Sequence, residues 1–141
     1  MSITFLTLFT TLRCNNSCQH CLYGCNPNTG DDMSWNTFNT AIEIALGHKI
    51  NTINLFGGEP FLNKNIFKMI EYCLLKNLQI IIATNGKMLS TDNVYDKFIK
   101  ITKNHKDMIR ITIGNDKYHL PFFNPELIGK KIINDGYILV K

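Results

Sequence analysis

The chain has 141 residues, of which 45% are hydrophobic and 18% charged, which is enough for one globular domain with its own core and excludes a disordered chain. Its net charge of +4 comes from scattered lysines, not from a basic block interleaved with aromatic residues, so nucleic acid binding is not indicated. No apolar run approaches the roughly 18 residues of a membrane span.

Short apolar runs, recognised as strands, alternate with stretches in which apolar residues fall at helical spacing behind a capping residue. In chain order the predicted elements are a strand at Ile3–Leu12, a helix after Ser34, a strand at Thr52–Phe56, a helix after Asn63 or Asn65, a strand at Gln79–Ala83, a helix from Thr91 or Asp92, a strand at Met108–Ile113, a helix from Asn124-Pro125-Glu126 to about Asn134, and a strand at Tyr137–Val140. The three consecutive isoleucines of the third strand predict that it is buried on both faces.

This strict alternation of strands and helices predicts an α/β fold with a parallel sheet, because right-handed crossovers place consecutive strands side by side. Ligands gather at the carboxyl ends of strands in such sheets. Distinctive residues follow four of the predicted strands at that end. They are the cysteines at 14, 18 and 21, then Gly57-Gly58-Glu59-Pro60, then Thr84-Asn85-Gly86, then Gly114-Asn115-Asp116.

The cysteines Cys14, Cys18 and Cys21 have the spacing C-x3-C-x2-C on one short loop. Three thiolates can hold three corners of an iron–sulfur cluster and leave the fourth iron free to bind a small molecule. Cys25 leaves two alternatives open, because it could complete a closed zinc site or a four-thiolate electron carrier. Cysteines clustered in this way favour metal binding in a reducing, cytoplasmic compartment, whereas Cys73 falls on a helical stripe and is expected to be a core thiol.

The turn Gly57-Gly58-Glu59-Pro60 is the second candidate feature. Its glycines allow the backbone to approach a ligand closely, Glu59 adds a negative charge suited to an ammonium group, and Pro60 stiffens the turn. An ordinary strand-to-helix turn is the alternative. Tyr118 and His119, after the fourth predicted strand, could contact a substrate, or they could cap the core.

The segment Cys14-Asn15-Asn16-Ser17-Cys18-Gln19-His20-Cys21, followed by residues 57–60, resembles the radical S-adenosylmethionine (radical SAM) superfamily. The resemblance implies a partial, open (βα) TIM-like barrel with about four to five parallel strands. It also implies a single core domain over residues 1–141 that lacks the last strand–helix units.

In that superfamily the three cysteines hold a [4Fe–4S] cluster, whose free iron binds the methionine part of S-adenosylmethionine. The resemblance implies that His20 packs near the adenine and that Gly57, Gly58, Glu59 and Pro60 contact the methionine amino group. It implies carboxylate and ribose contacts for polar residues at the strand ends. These are Thr84, Asn85, Thr112 and Asn115.

The activity implied is reductive cleavage of S-adenosylmethionine to a 5′-deoxyadenosyl radical, which abstracts hydrogen from a substrate that the sequence does not identify. A low-potential donor such as flavodoxin or ferredoxin would supply the electron. A protein partner or an oligomer could complete the barrel. The alternative within the family is a cofactor-binding subunit or an activase acting on a partner protein.

Overall fold

The computed structural model describes residues 4–28 and 30–140, which form five strands alternating with four α-helices. The strands are β1 (Leu6–Thr11), β2 (Thr52–Gly57), β3 (Gln79–Thr84), β4 (Ile109–Ile113) and β5 (Ile138–Val140). The α-helices are α1 (Trp35–Gly47), α2 (Ile66–Leu75), α3 (Asp92–Thr102) and α4 (Glu126–Asn134), with short 3-10 helices at Pro60–Leu62 and Lys106–Met108. Each predicted element is present, and Ile3 of the first predicted strand lies outside the described residues.

The five strands form one sheet in the order β1-β2-β3-β4-β5, and every neighbouring pair is parallel. Each helix therefore carries the chain back to start the next strand beside the last, which confirms the predicted open α/β sheet. Because all strands run in the same direction, their carboxyl ends lie along one edge of the sheet.

One face of the sheet packs on the helices. Strand residues such as Ile53, Ile80 and Ile111 join Phe38 and Phe98 in a single buried cluster. Burying each such side chain contributes about 1.5–3 kcal/mol, which favours this packing.

The opposite face of the sheet is only half-buried in the part of the chain that the structure describes. Ile81 is half-buried there, paired in register with Asn54 and Arg110. The prediction that all three isoleucines of β3 are buried on both faces is therefore wrong for Ile81. The reason is that the helices cover only the face on which Ile80 and Ile82 lie.

Side-chain hydrogen bonds support the starts of α1 and α4, whereas the side chains of Asn65 before α2 and Thr91 before α3 make no capping hydrogen bond. The Ser34 hydroxyl accepts a hydrogen bond from the N–H of Thr37 at 3.1 Å. Asn124 accepts one from the N–H of Glu126 at 3.0 Å, and α4 begins at Glu126. Among residues 4–28 and 30–140, every helix falls short of the length and apolar character needed to cross a membrane.

Candidate functional site

A cavity of about 320 Å³ lies at the carboxyl ends of β1 to β4. Of the residues singled out in the sequence, those that line it are Cys14, Cys18, Cys21, Cys25, His20, Gly57, Gly58, Thr84, Asn85, Thr112, Gly114 and His119. The lining does not include Glu59, Pro60, Asn115 or Tyr118. The strand ends therefore bring together most of the predicted residues from four separate segments of the chain.

The segment of residues 12–33, called here the cysteine loop, is closed by an ion pair at its base. The Arg13 guanidinium donates to both carboxylate oxygens of Asp32 at 2.8–3.1 Å and to the carbonyl of Leu62 at 2.8 Å. Burial raises the pKa of Asp32, but hydrogen bonds from Arg13 and from the Thr11 hydroxyl outweigh it and leave the pKa below its usual value. The two ends of the loop are thus held together beside β1.

The thiols of the cysteine loop differ in exposure. Cys14 and Cys25 are buried, whereas Cys18 and Cys21 are half-exposed, and all of them are free. Burial raises the pKa of Cys14 and of Cys18, because a thiolate loses hydration there. The amide of Asn85 donates to Cys14 Sγ at 3.6 Å and to the side-chain oxygen of Asn15 at 2.8 Å, which ties the loop to the end of β3.

Asn16 provides a test of whether the cavity suits a cluster. It lines the cavity and is only 2% exposed, yet neither its side-chain oxygen nor its nitrogen has a hydrogen-bond partner in the described part of the chain. Its amide lies beside the Cys18 thiol without the alignment of a hydrogen bond. A buried amide without partners costs about 1–3 kcal/mol. The arrangement therefore fits an occupant with acceptor atoms, such as the sulfurs of an iron–sulfur cluster.

The two glycines after β2 lie against the backbone of the cysteine loop. A Cβ on Gly57, whose φ is +142°, would stand 2.2 Å from the Thr11 carbonyl oxygen. A Cβ on Gly58 would stand 2.1 Å from the Arg13 carbonyl oxygen. The Thr11 carbonyl accepts a hydrogen bond from the N–H of Gly58 at 2.8 Å, and the Arg13 carbonyl accepts one from the N–H of Glu59 at 2.9 Å. Only glycine allows this close approach, so the turn and the cysteine loop form one unit.

Glu59 faces away from the cavity and into the protein. Its carboxylate is fully buried. It accepts hydrogen bonds from the N–H of Asn85 at 2.8 Å, from the N–H of Phe61 at 3.2 Å, and from the hydroxyl of Thr84 at 2.8 and 2.9 Å. Burial outweighs these hydrogen bonds and raises its pKa to about 7. Glu59 therefore fixes the end of β3 against the turn after β2.

The rim of the cavity joins His20 of the cysteine loop to the segment after β4, residues 114–125, called here the β4 loop. The His20 ring stacks on Tyr118 with centroids 4.5 Å apart and meets His119 edge to face at 5.1 Å. Asp116 Oδ2 lies 3.0 Å from His119 Nδ1 and 3.8 Å from His20 Nε2. Aromatic and titratable side chains thus converge where a ligand would enter.

Cys25 lies in the same cavity, close to Cys21. Burial, together with the neighbouring Cys21, raises the pKa of its thiol to about 11. Cys25 lines the cavity together with Cys14, Cys18 and Cys21. Cys73, in contrast, is fully buried in α2 as predicted, and burial raises its pKa to about 12.

Several residues of this site were not singled out in the sequence, among them Arg13, Asp32 and Asn16. Arg13 and Asp32 could have been suspected, because opposite charges stand at the two ends of the cysteine loop. Asn16 gives no such signal, since polar residues are ordinary in loops and only the structure shows that it is buried.

Comparison with known proteins assigns these features to a family. The family model for the Radical SAM superfamily matches residues 8–126. The protein YydG of Bacillus subtilis (strain 168), which carries a provisional assignment to peptide biosynthesis, is 33% identical over 113 residues, covering 78% of this chain and 35% of YydG. The antilisterial bacteriocin subtilosin biosynthesis protein AlbA of the same strain is 24% identical over 110 residues, covering 78% of this chain and 23% of AlbA.

The crystal structure of Streptococcus suis SuiB bound to the precursor peptide SuiA shares the fold. It aligns with a TM-score of 0.57 and 14% identity, covering 96% of this chain and 38% of SuiB. The chain thus spans about a third or less of the length of the curated relatives named here.

Proposed function

Because the chain belongs to the radical SAM superfamily, whose members use a [4Fe–4S] cluster and S-adenosylmethionine, we propose that its strand-end cavity binds both groups and that the protein abstracts hydrogen from a peptide. The observation that carries the proposal is the convergence of three free thiols with the Gly57-Gly58 backbone in one cavity. When bound, the two groups supply a 5′-deoxyadenosyl radical by reductive cleavage of S-adenosylmethionine.

Cys14, Cys18 and Cys21 are the proposed cluster ligands. The Arg13–Asp32 ion pair holds the base of the loop that carries them. Burial excludes water from Cys14, and the Asn85 amide directs a hydrogen bond at its sulfur. Such donors to ligand sulfurs tune the potential of a cluster.

The proposed S-adenosylmethionine site is assembled from the other strand ends. The half-buried backbone of Gly57 and Gly58 lines the cavity and is the proposed contact of the methionine amino group, while Glu59 and Pro60 hold the turn in shape. Further contacts are proposed at the ends of β3 and β4 and in the cysteine loop. The residues are Thr84, Asn85, Thr112 and Asn115 for the carboxylate and ribose, and His20 for the adenine.

A peptide substrate is supported by the relatives. YydG is named for peptide biosynthesis and AlbA for biosynthesis of the bacteriocin subtilosin, and SuiB was crystallised with a precursor peptide. Tyr118 and His119 lie at the rim, where such a substrate would enter. The half-buried face of the sheet offers a surface that a partner protein or a second copy would cover, completing the barrel.

The remaining expectations follow from this chemistry. A reduced cluster needs a low-potential donor such as flavodoxin or ferredoxin, and the five free cysteines suit a reducing cytoplasm.

A second candidate function is a cofactor-binding subunit that turns over only with its partner, which the half-buried sheet face favours.

Anaerobic reconstitution tests the proposal. Protein loaded with iron and sulfide, then given S-adenosylmethionine and dithionite, should release 5′-deoxyadenosine. Cys18→Ser should abolish both cluster and product, whereas Cys73→Ala, which changes a thiol outside the cavity, should keep both. A loaded protein that binds S-adenosylmethionine without product would support the subunit function. Elemental analysis that finds zinc and no inorganic sulfide would refute both the enzyme function and the subunit function.

A further inference from the structure

A second group of metal-ligating side chains converges at the cavity rim and includes none of the cysteines. One ligand atom from each of His20, Asp116 and His119 lies within 4.8 Å of the other two. We propose that these three side chains bind a zinc ion that fastens the β4 loop to the cysteine loop. The residues come from opposite ends of the chain, so the convergence is a product of the fold and not of local sequence.

Two of the three distances between ligand atoms are close to those around a tetrahedral ion. Zinc bound at 2.0–2.2 Å to nitrogen and oxygen places neighbouring ligand atoms about 3.3–3.5 Å apart. Asp116 Oδ2 stands 3.0 Å from His119 Nδ1 and 3.8 Å from His20 Nε2, so the two distances bracket that value. Small side-chain rotations would bring the three atoms into ligand positions.

The surrounding contacts hold the ligands in place. Asp116 Oδ1 accepts the N–H groups of Tyr118 at 2.9 Å and of His119 at 3.1 Å, which orients the carboxylate and leaves Oδ2 available. Tyr118 stacks on the His20 ring. Gly114 makes room for His119, because a Cβ there would stand 2.8 Å from its ring. Such supporting contacts are typical of metal sites.

A buried ring nitrogen of His119 lies beside a carboxylate without an aligned hydrogen bond in the described residues. This nitrogen, Nδ1, is only 3.0 Å from Asp116 Oδ2. Two imidazoles and one carboxylate favour zinc over calcium or magnesium, which prefer oxygen ligands. The neighbouring cation, Lys117, has its ammonium over the Tyr118 ring at 4.9 Å. Zinc would thus satisfy His119 and neutralise the carboxylate together.

Zinc titration of the iron-loaded protein tests this site apart from the cluster. After anaerobic reconstitution and desalting, zinc chloride is added, and bound zinc and iron are counted by mass spectrometry. We expect about one zinc per chain. Zinc-edge X-ray absorption should show nitrogen and oxygen at about 2.0–2.1 Å and no sulfur at about 2.3 Å.

Two conservative variants isolate the ligands. Asp116→Asn keeps the oxygen that accepts the two loop N–H groups, and His119→Phe keeps a ring against Gly114. Each should weaken zinc binding about 100-fold or more with iron unchanged. The exposed changes His48→Phe and Asp107→Asn are matched controls and should alter neither metal.

The fastening role has its own measurement. Zinc should slow amide hydrogen exchange in the β4 loop of the unaltered protein and leave the His119→Phe protein unaffected. Zinc bound through sulfur, equal zinc affinity in all variants, or unchanged exchange in the β4 loop would overturn the inference. The iron count reports separately on the cluster, so failure of one site is not mistaken for failure of the other.

Discussion

Replacing Glu59 by glutamine tests how the protein holds the turn beside the cavity. The two carboxylate oxygens together accept the backbone N–H groups of Phe61 and Asn85 and the hydroxyl of Thr84. Glutamine offers only one oxygen, so its NH₂ group must face one of the two backbone donors. Leaving a buried donor unpaired costs about 1–3 kcal/mol, which is the expected loss of stability in acid.

The loss should depend on pH, because burial raises the pKa of Glu59 from 4.5 to about 7. Below pH 4.5 the carboxyl is protonated in the folded and unfolded states alike. As the pH rises toward 7, the unfolded chain releases the proton first, so the free energy of unfolding of the wild type falls. At 1.36 kcal/mol per pKa unit, this interval amounts to about 3 kcal/mol. Glutamine does not titrate, so the wild-type advantage of about 1–3 kcal/mol in acid should fall by about 3 kcal/mol between pH 4.5 and 8, which is enough to cancel or reverse it.

Urea unfolding of the metal-free, reduced protein at a series of pH values measures this difference directly. Subtracting the variant curve from the wild-type curve removes the contribution of other carboxyl groups, such as Asp32 and Asp116, whose pKa values are lowered. Glu126→Gln, at an exposed ion pair with Lys130, is the control and should give a difference that stays flat above pH 5. A flat difference for Glu59→Gln would refute the argument, because it would mean that the hydrogen bonds cancel the effect of burial on the pKa of Glu59, and a difference that grows with pH would mean that they outweigh it.

Two further predictions concern the cysteine loop. Cys25→Ser should leave iron content near that of the wild type, whereas Cys18→Ser should abolish it; equal losses in elemental analysis would favour a four-thiolate site. Asn16→Leu should lower the reduction potential of the reconstituted cluster by about 59 mV, a tenfold change in the one-electron equilibrium, because it removes a buried donor beside sulfur. Redox titration followed by electron paramagnetic resonance measures the potential. The control is Asn28→Leu, at an exposed site in the same loop. Equal cluster potentials in the two variants would contradict the prediction.

The elements of the fold could be predicted because each carries its own local signal. The cap at Ser34 and the apolar run of β3 do not depend on distant residues. Whether Ile81 is covered does depend on them, since it is decided by which face the helices pack on. The positions of the strand ends were therefore predictable from local signals, whereas the burial of the face of β3 that carries Ile81 was not.

The cavity could be predicted because parallel strands end at a common edge. This brings Cys14, Gly58 and Asn85 together whatever the conformation of the loops. The direction of Glu59 could not be predicted. Its carboxylate was expected to face an ammonium group, but it points to the N–H of Asn85, whose position depends on the pairing of β2 with β3. The role of Glu59 in cofactor binding therefore remains a proposal that acts through the shape of the turn.

The contacts that hold the cysteine loop beside the cavity are non-covalent, since every cysteine in the described residues is free. The Arg13–Asp32 pair closes the base of the loop, the carbonyls of residues 11 and 13 accept the N–H groups of the glycine turn, and Asn85 reaches Cys14 from β3. Each contact ties the loop to a different strand end, so folding of the sheet contributes to ordering the loop. Damage to any one contact should therefore weaken metal retention even though every cysteine is still present.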